Sequence, residues 1–202
     1  THCISSAASD VYKRQGQYAS RRAIVDRVME GLHVTEPHRE HKLVDRALEW
    51  TAQEPEASVK EEKEEWLDLV ARRMRHIVTE SRRTESLVTA LRKGALGNPK
   101  DKDAVCGLEQ IGGLMTASHE SLRDDYEVSC PELDSAVDAA LEAGAWGARM
   151  TGGGFGGSAI ALINAEDVEK VEEAVLASAR QLGLATPTFL VAIPCDGARR
   201  EK

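Results

Sequence analysis

Residues 147–164 read GARMTGGGFGGSAIALIN, with five glycines in six positions between two short apolar runs. Glycine adopts positive φ angles and lets another backbone or a ligand come close, at less cost than any residue with a side chain. The apolar run at residues 158–163 is short and follows the glycines directly, which is typical of a buried strand. The sequence therefore predicts a strand, a glycine loop and a second strand.

Two nucleotide-binding motifs could also explain a glycine-rich loop. The spacing Gly152-x-Gly154-x-x-Gly157 matches the formal dinucleotide-binding pattern, which requires a helix at its last glycine and an acidic residue about 20 positions further on. An apolar strand pattern follows here instead of a helix. The loop also lacks the Lys-Ser or Lys-Thr pair of a Walker-type phosphate loop. We therefore exclude both motifs.

Composition limits the class of protein. The chain has 202 residues and is 42% hydrophobic, enough for one domain with a core, or a core with a helical addition. Its net charge of −8 argues against nucleic acid or an anionic membrane as the main partner. No apolar run approaches the roughly 18 residues of a membrane helix. A small-molecule substrate fits this composition better.

The four cysteines indicate the compartment. Cys3, Cys106, Cys130 and Cys195 show neither a C-x-x-C spacing nor a grouping with histidine that would suggest zinc. We interpret them as reduced thiols, which are the rule in the cytosol. The sequence therefore predicts a cytoplasmic protein.

Three phrases of the sequence carry a family resemblance. They are GQYASRRA at residues 16–23, SHESLRDDYEVSCPELD at residues 118–134, and the glycine stretch itself. Together they resemble the C-terminal half of the galactokinase family of GHMP kinases, in family order from Gly16 to the final segment 196–199. The resemblance implies a ferredoxin-like domain of α+β class, in which a small antiparallel sheet is covered by helices on one face and a helical subdomain is added.

The residue patterns agree with this architecture. Strands are predicted near residues 147, 158 and 188, the last one over residues 188–193. Apolar spacing predicts helices over residues 20–32, from Leu43, over 58–94 and over 103–122. A capping box and a terminating glycine predict a helix over residues 129–144, and apolar spacing predicts another over residues 167–182. The predicted domain covers residues 16–202, and residues 21–122 are expected to be largely helical.

The first fifteen residues do not fit the family pattern. The run DVYKRQ at residues 10–15 looks like a translated sequencing adaptor, and the resemblance begins directly after it. We expect residues 1–15 to be a non-native, disordered leader, and the coding sequence to have been cut at this point. The alternative is a divergent native strand before Gly16.

The resemblance implies ATP-dependent phosphorylation of α-D-galactose to galactose 1-phosphate by the parent protein, with ATP and galactose as its small-molecule partners. In the family, ATP and Mg²⁺ are bound mainly by the N-terminal half, which also supplies the catalytic aspartate and its arginine partner. We therefore expect no catalytic residue and no metal ligand in this chain, and no activity from it alone. The alternatives are an N-acetylgalactosamine kinase and a non-catalytic regulator that binds galactose and ATP.

Tyr18 is the side chain that the resemblance places at the sugar, because the family tyrosine that approaches the sugar lies in the same phrase. A phenol offers a hydroxyl and a flat apolar face, which suits a sugar. The alternative is that Tyr18 is half-buried packing.

The glycine loop is expected to lie near the site without supplying a catalytic side chain. Its glycines are Gly152, Gly153, Gly154, Gly156 and Gly157. A tight hairpin that serves only packing explains the same glycines equally well.

Two polar groups remain ambiguous in the sequence. Residues 123–126, RDDY, could form an acid–base cluster, but we favour a structural role in which the carboxylates bond to the backbone of a turn. His38 and His41 could hold a metal ion, but no third ligand lies near them in the sequence.

Overall fold

The computed structural model describes residues 9–53, 60–93 and 102–192, and in this part the chain forms six α-helices and one two-stranded sheet. The helices are α1 (Ser9–Gly31), α2 (Leu43–Thr51), α3 (Lys60–Arg92), α4 (Lys102–Glu120), α5 (Pro131–Glu142) and α6 (Val168–Gln181). The strands are β1 (Gly147–Thr151) and β2 (Ser158–Leu162). The predicted α+β class is confirmed. None of the helices in the described ranges is long and apolar enough to span a membrane.

The two strands form an antiparallel hairpin around the glycines. The register runs from Gly147 opposite Leu162 to Thr151 opposite Ser158, so the connecting loop is residues 152–157. The prediction of strand, glycine loop and strand is confirmed, because the residues on either side of the glycines alternate between the two faces of one small sheet.

The predicted third strand does not form within the described residues. Over residues 188–192 only Phe189 makes an isolated bridge, and residue 193 lies outside the described part. Leu190 and Val191 are 60% and 61% exposed. β-propensity reflects packing against neighbouring strands more than backbone preference, so an apolar run of this composition need not form a regular strand.

Helices border both faces of the sheet, whereas the sequence analysis expected them on one. On one side Ala148 and Ala159 face Ala140 of α5 and Val175 of α6, and the small side chains allow close packing. On the other side α4 touches β1 directly. A Cβ atom on Gly147 would lie 2.2 Å from the carbonyl oxygen of Gly112, so only glycine fits there.

The apolar faces of the predicted helices are buried, except at the C-terminal end of α3. Val28 of α1, Leu43 of α2 and Met74 of α3 are fully buried in one core. Val88 and Leu91, at the end of the predicted α3 stripe, are exposed. The predicted bounds of this helix, residues 58 and 94, lie outside the described part.

Helix α1 extends further towards the N-terminus than the sequence predicted. It begins at Ser9, so residues 9–15 of the expected leader continue the helix. No proline interrupts this stretch, and adding a residue to an existing helix is far easier than nucleating one. That the leader is non-native stays a prediction.

The start of α5 differs from the predicted capping box. Cys130, not Ser129, is the N-cap residue, and no side chain caps the helix. The Ser129 hydroxyl donates to Asp134 instead. The end of the helix is as predicted, since Gly144 follows it with a φ of +103°.

Candidate functional site

The connection between α4 and α5 brings Tyr126 into the middle of the molecule. A π-helical turn at Ser121–Asp125 ends α4, and the N–H of Tyr126 donates to the Ser121 carbonyl at 2.9 Å. Glu127 then adopts a positive φ of +54°, which reverses the chain. π-turns recur at functional sites because they redirect side chains within a helix. Here the turn leaves the Tyr126 ring buried.

Arg73 of α3 holds this connection in place. Its side chain is 3% exposed and donates to the Asp125 carbonyl and to the Glu127 carboxylate. Arg72 donates to the same carboxylate at 2.5 Å. Partial burial raises the pKa of Glu127, but the hydrogen bonds from the two arginines outweigh it and lower the pKa overall. The carboxylate therefore stays ionised and acts as a structural partner.

The polar residues 123–126 are likewise engaged in structural contacts. Asp124 accepts from Arg123 at 2.8 Å, and Asp125 accepts from Arg75 at 2.7 Å and from the Ser121 hydroxyl at 3.2 Å. The carboxylates thus bond to side chains, not to the backbone of the turn as predicted. Burial is the largest influence on the pKa of Tyr126 and raises it, so the phenol stays neutral near pH 7.

Tyr126 lies between a histidine and the predicted sugar-contacting tyrosine. The His76 ring stacks on one side with centroids 4.5 Å apart, and Tyr18 meets the ring edge-on at 6.0 Å. Burial lowers the pKa of His76 from 6.5 to about 4, so this ring is neutral at pH 7. Tyr18 is 42% exposed. Tyr18 thus packs against Tyr126 and is still accessible to a ligand.

The backbone of the glycine loop shows why glycine is required at most of its positions. Gly152, Gly154, Gly156 and Gly157 have φ angles between +84° and +111°, and Phe155 has +57°. A side chain at such angles is strained. Gly153 is the exception, since its φ is not in this range and a Cβ atom there would meet nothing within 4 Å.

The loop rests on the α4–α5 connection at one point. The N–H of Phe155 donates to the Val128 carbonyl at 2.6 Å, and a Cβ on Gly154 would lie 2.2 Å from the same oxygen. Cβ atoms on Gly152 or Gly157 would meet nothing within 4 Å. The loop is thus anchored at its centre, and its ends leave room for another molecule or domain.

Arg21 connects the two features that the sequence singled out. Its Nε donates to the Tyr126 carbonyl at 2.9 Å, and its guanidinium lies 5.0 Å from the centre of the Phe155 ring. Tyr18 contacts the same Tyr126. We call Tyr18, Arg21, Tyr126 and Phe155 the Tyr126 cluster. It joins α1, the α4–α5 connection and the glycine loop on one surface.

The sequence singled out Tyr18, the glycines and the run at residues 123–126 that contains Tyr126, but not Arg21 or Phe155. Arg21 belongs to the arginine pair that follows Tyr18, and Phe155 is the single side chain inside the glycine run. Both positions were visible as members of the quoted phrases. Arg73 gave no such signal, because it is one of several arginines in α3 and its sequence neighbours do not distinguish it from the others.

The large cavities of the described part lie elsewhere. One of about 870 Å³ lies between α1 and α3 and is lined by Arg22, Met29 and His33 among others. Another of about 460 Å³ lies between α3, α4 and the sheet and reaches Thr151, next to the glycine loop. Neither of these two cavities includes Tyr18 or a loop glycine.

No metal site is present among the residues that the structure describes, since no three His, Cys, Asp or Glu side chains are grouped to hold an ion. His38 faces Glu85 with 3.0 Å between Nε2 and Oε1. Cys106 and Cys130 are free thiols, while Cys3 and Cys195 lie outside the described ranges.

Comparison with known proteins gives three kinds of result: a family, relatives in sequence and a solved structure. Residues 104–181 match the family described as GHMP kinases C terminal. A galactokinase of Streptomyces coelicolor is 47% identical over 131 residues, covering 65% of this chain and 31% of the relative. The galactokinase of Homo sapiens is 44% identical over 144 residues, covering 69% of this chain and 33% of the relative. The matched region thus spans about a third of these relatives.

The third result is a solved structure. The crystal structure of Lactococcus lactis galactokinase complexed with galactose matches this chain with a TM-score of 0.61 and 26% identity. The match covers 93% of this chain and 42% of that one.

Proposed function

We propose that the chain is the C-terminal part of a galactokinase, because residues 104–181 match the GHMP kinase C-terminal family. The enzyme transfers the γ-phosphoryl group of ATP to the anomeric hydroxyl of α-D-galactose. The observation that carries the proposal is the 47% identity to the Streptomyces coelicolor galactokinase over 131 residues. The fold match to a galactokinase complexed with galactose supports it. We propose a cytoplasmic location, where ATP is available.

In this proposal the chain forms one wall of the sugar site. Tyr18 offers its hydroxyl and a ring face to galactose, while its edge-on contact with Tyr126 holds the ring in place. The open ends of the glycine loop let the substrate or the nucleotide-binding part of the enzyme approach the backbone. Arg21 fixes the distance between these two features through its contacts with Tyr126 and Phe155.

Phosphoryl transfer needs more than this wall provides. It requires a cradle for the triphosphate, a metal ion or cationic side chain that offsets the negative charge of the transferred group, and a residue that orients the attacking oxygen. ATP supplies the phosphoryl group and Mg²⁺ offsets its charge. From the family resemblance, we propose that the metal, the triphosphate cradle and the catalytic pair belong mainly to the N-terminal half of the enzyme.

The Tyr18 contact can be tested in a hybrid enzyme, made by joining the upstream part of the Streptomyces coelicolor galactokinase to residues 16–202. Replacing Tyr18 with phenylalanine removes one hydrogen bond to an uncharged ligand, which typically costs about 0.5–1.5 kcal/mol. We expect kcat/KM for galactose to fall roughly two- to twelvefold, with the KM for ATP nearly unchanged. Alanine should cost more, since it also removes the apolar face.

The KM for ATP is the internal control in these assays. If both Tyr18 variants impair galactose and ATP equally, or impair neither, then Tyr18 serves only to pack against Tyr126, and the proposed sugar contact is wrong.

A further inference from the structure

A histidine side chain accepts a hydrogen bond from the edge of strand β1 that does not pair with β2. The N–H of Met150 donates to Nδ1 of His119 at 3.2 Å, and His119 lies on α4 with 1% exposure. Within the described residues, β1 pairs with β2 alone, so the N–H groups on its other edge lack a strand partner. A buried N–H without an acceptor is costly. The His119 ring supplies that acceptor.

The second ring nitrogen of His119 faces α5. Because Nδ1 accepts a hydrogen bond, the neutral ring carries its proton on Nε2. Nε2 lies 3.2 Å from Asp134 Oδ1, although the atoms are too poorly aligned for a good hydrogen bond, so the contact is mainly electrostatic. Asp134 also accepts from the Ser129 hydroxyl. One ring therefore joins β1 to the segment that begins α5.

The two segments that His119 contacts, β1 and the start of α5, both adjoin the glycine loop. Met150 lies in β1, two residues before Gly152, the first residue of the loop. The position of Met150 therefore determines where the loop begins. Ser129 directly follows Val128. The Val128 carbonyl accepts a hydrogen bond from the Phe155 N–H, and it lies so close to Gly154 that no Cβ atom would fit between them. The strand that enters the loop and the segment that supports it are thus held together by His119 and Asp134.

We infer that His119 is the positioning residue of the glycine loop, fixing β1 relative to residues 128–130 through the neutral Nε2–H form of its ring. Its importance for catalysis rests on the proposed galactokinase function. The structural role does not, and it can be tested without any assay of activity.

The charges around His119 are compatible with a neutral ring. Burial has the largest influence and lowers its pKa, and Arg123 lowers it further. Asp134 and Asp138 of α5 act in the opposite direction, but the balance is a lowered pKa. A protonated ring would point an Nδ1–H at the N–H of Met150 and lose the bond.

The tautomer can be measured by ¹⁵N NMR on the unsubstituted 202-residue chain at pH 7. We expect His119 to show an unprotonated Nδ1 and a protonated Nε2. A protonated Nδ1, in either the neutral or the charged ring, would overturn the inference. This measurement needs no variant, so it stands even if a substitution prevents folding.

Two variants test the link itself by amide hydrogen exchange on the same chain. In His119→Asn, the amide oxygen lies near the position of Nδ1 and can still accept from Met150. In His119→Gln, the amide reaches the position of Nε2 and leaves Met150 without its acceptor. We expect His119→Gln to exchange about tenfold faster at the amides of Met150 and Phe155, and His119→Asn to keep most of the protection at Met150.

A second buried histidine provides the matched control. His76 is also buried but contacts Ser121 and Tyr126, so His76→Gln should leave exchange at Met150 unchanged. The inference fails if His119→Gln exchanges like the parent chain at Met150 and Phe155, or if His119→Asn and His119→Gln lose protection equally. Unchanged galactose turnover in a His119→Gln hybrid enzyme would refute the catalytic consequence. A folded but inactive unsubstituted hybrid would refute the proposed function instead.

Discussion

Replacing Gly154 with alanine is expected to lower the free energy of unfolding of this chain by about 2–5 kcal/mol. Two costs add at this position. The φ of +84° strains any residue with a Cβ atom, and that atom would lie 2.2 Å from the Val128 carbonyl oxygen and 2.7 Å from the Val128 Cβ. Neither neighbour is the free end of a long side chain, so backbone must move. Valine, with its branched Cβ, should cost more still.

The neighbouring Gly153 provides the control for this substitution. Its φ is not in the positive range, and a Cβ atom there would meet nothing within 4 Å. Gly153→Ala should therefore change the stability by less than about 1 kcal/mol. Urea unfolding of both variants measures the difference. Equal stability of Gly154→Ala and Gly153→Ala would contradict the account of the loop as anchored on Val128.

Replacing Arg73 with methionine is expected to cost about 2–4 kcal/mol of unfolding free energy. Methionine keeps the length of the side chain but removes both of its charged hydrogen bonds. The partly buried Asp125 carbonyl then loses this partner, and Glu127 keeps only Arg72. The loss is smaller than for a fully buried ion pair, because the Glu127 side chain is 43% exposed.

Arg72 is the matched control, since it bonds to the same carboxylate from the same helix but is more exposed and makes no contact with the turn backbone. Arg72→Met should cost no more than about 1 kcal/mol. Near-UV circular dichroism of the tyrosines provides a second measurement, because Arg73→Met should loosen the packing of Tyr126. If Arg72→Met and Arg73→Met are equally stable, then Arg73 does not hold the connection as described.

The sequence predicted best what depends on neighbouring residues. The glycine hairpin, the end of α5 at Gly144 and the apolar faces of the helices follow from φ requirements and from spacing along one segment. These signals act within a few residues, so one sequence contains them completely. The family phrases added Tyr18, which no local pattern would have distinguished from ordinary packing.

Predictions failed, or were not made, for features that depend on residues distant in the sequence. Residues 188–192 have the composition of a strand, yet a strand also needs an edge to pair with, and composition does not show one. Ser129 and Glu132 match a capping box, but the Ser129 hydroxyl bonds to Asp134 and leaves Cys130 at the cap. The bond between Arg73 and Glu127 joins positions 54 residues apart, and no local pattern reports such a pair.

Sugar phosphorylation by the hybrid enzyme tests the central claim most directly. With ATP and Mg²⁺ present, the hybrid should form galactose 1-phosphate, and should use galactose in preference to N-acetylgalactosamine. The isolated 202-residue chain should form no product above background. The Streptomyces coelicolor enzyme is the positive control, and cooperative unfolding shows that the hybrid is folded. A folded hybrid that binds galactose and ATP without turnover, or turnover by the isolated chain, would contradict the account.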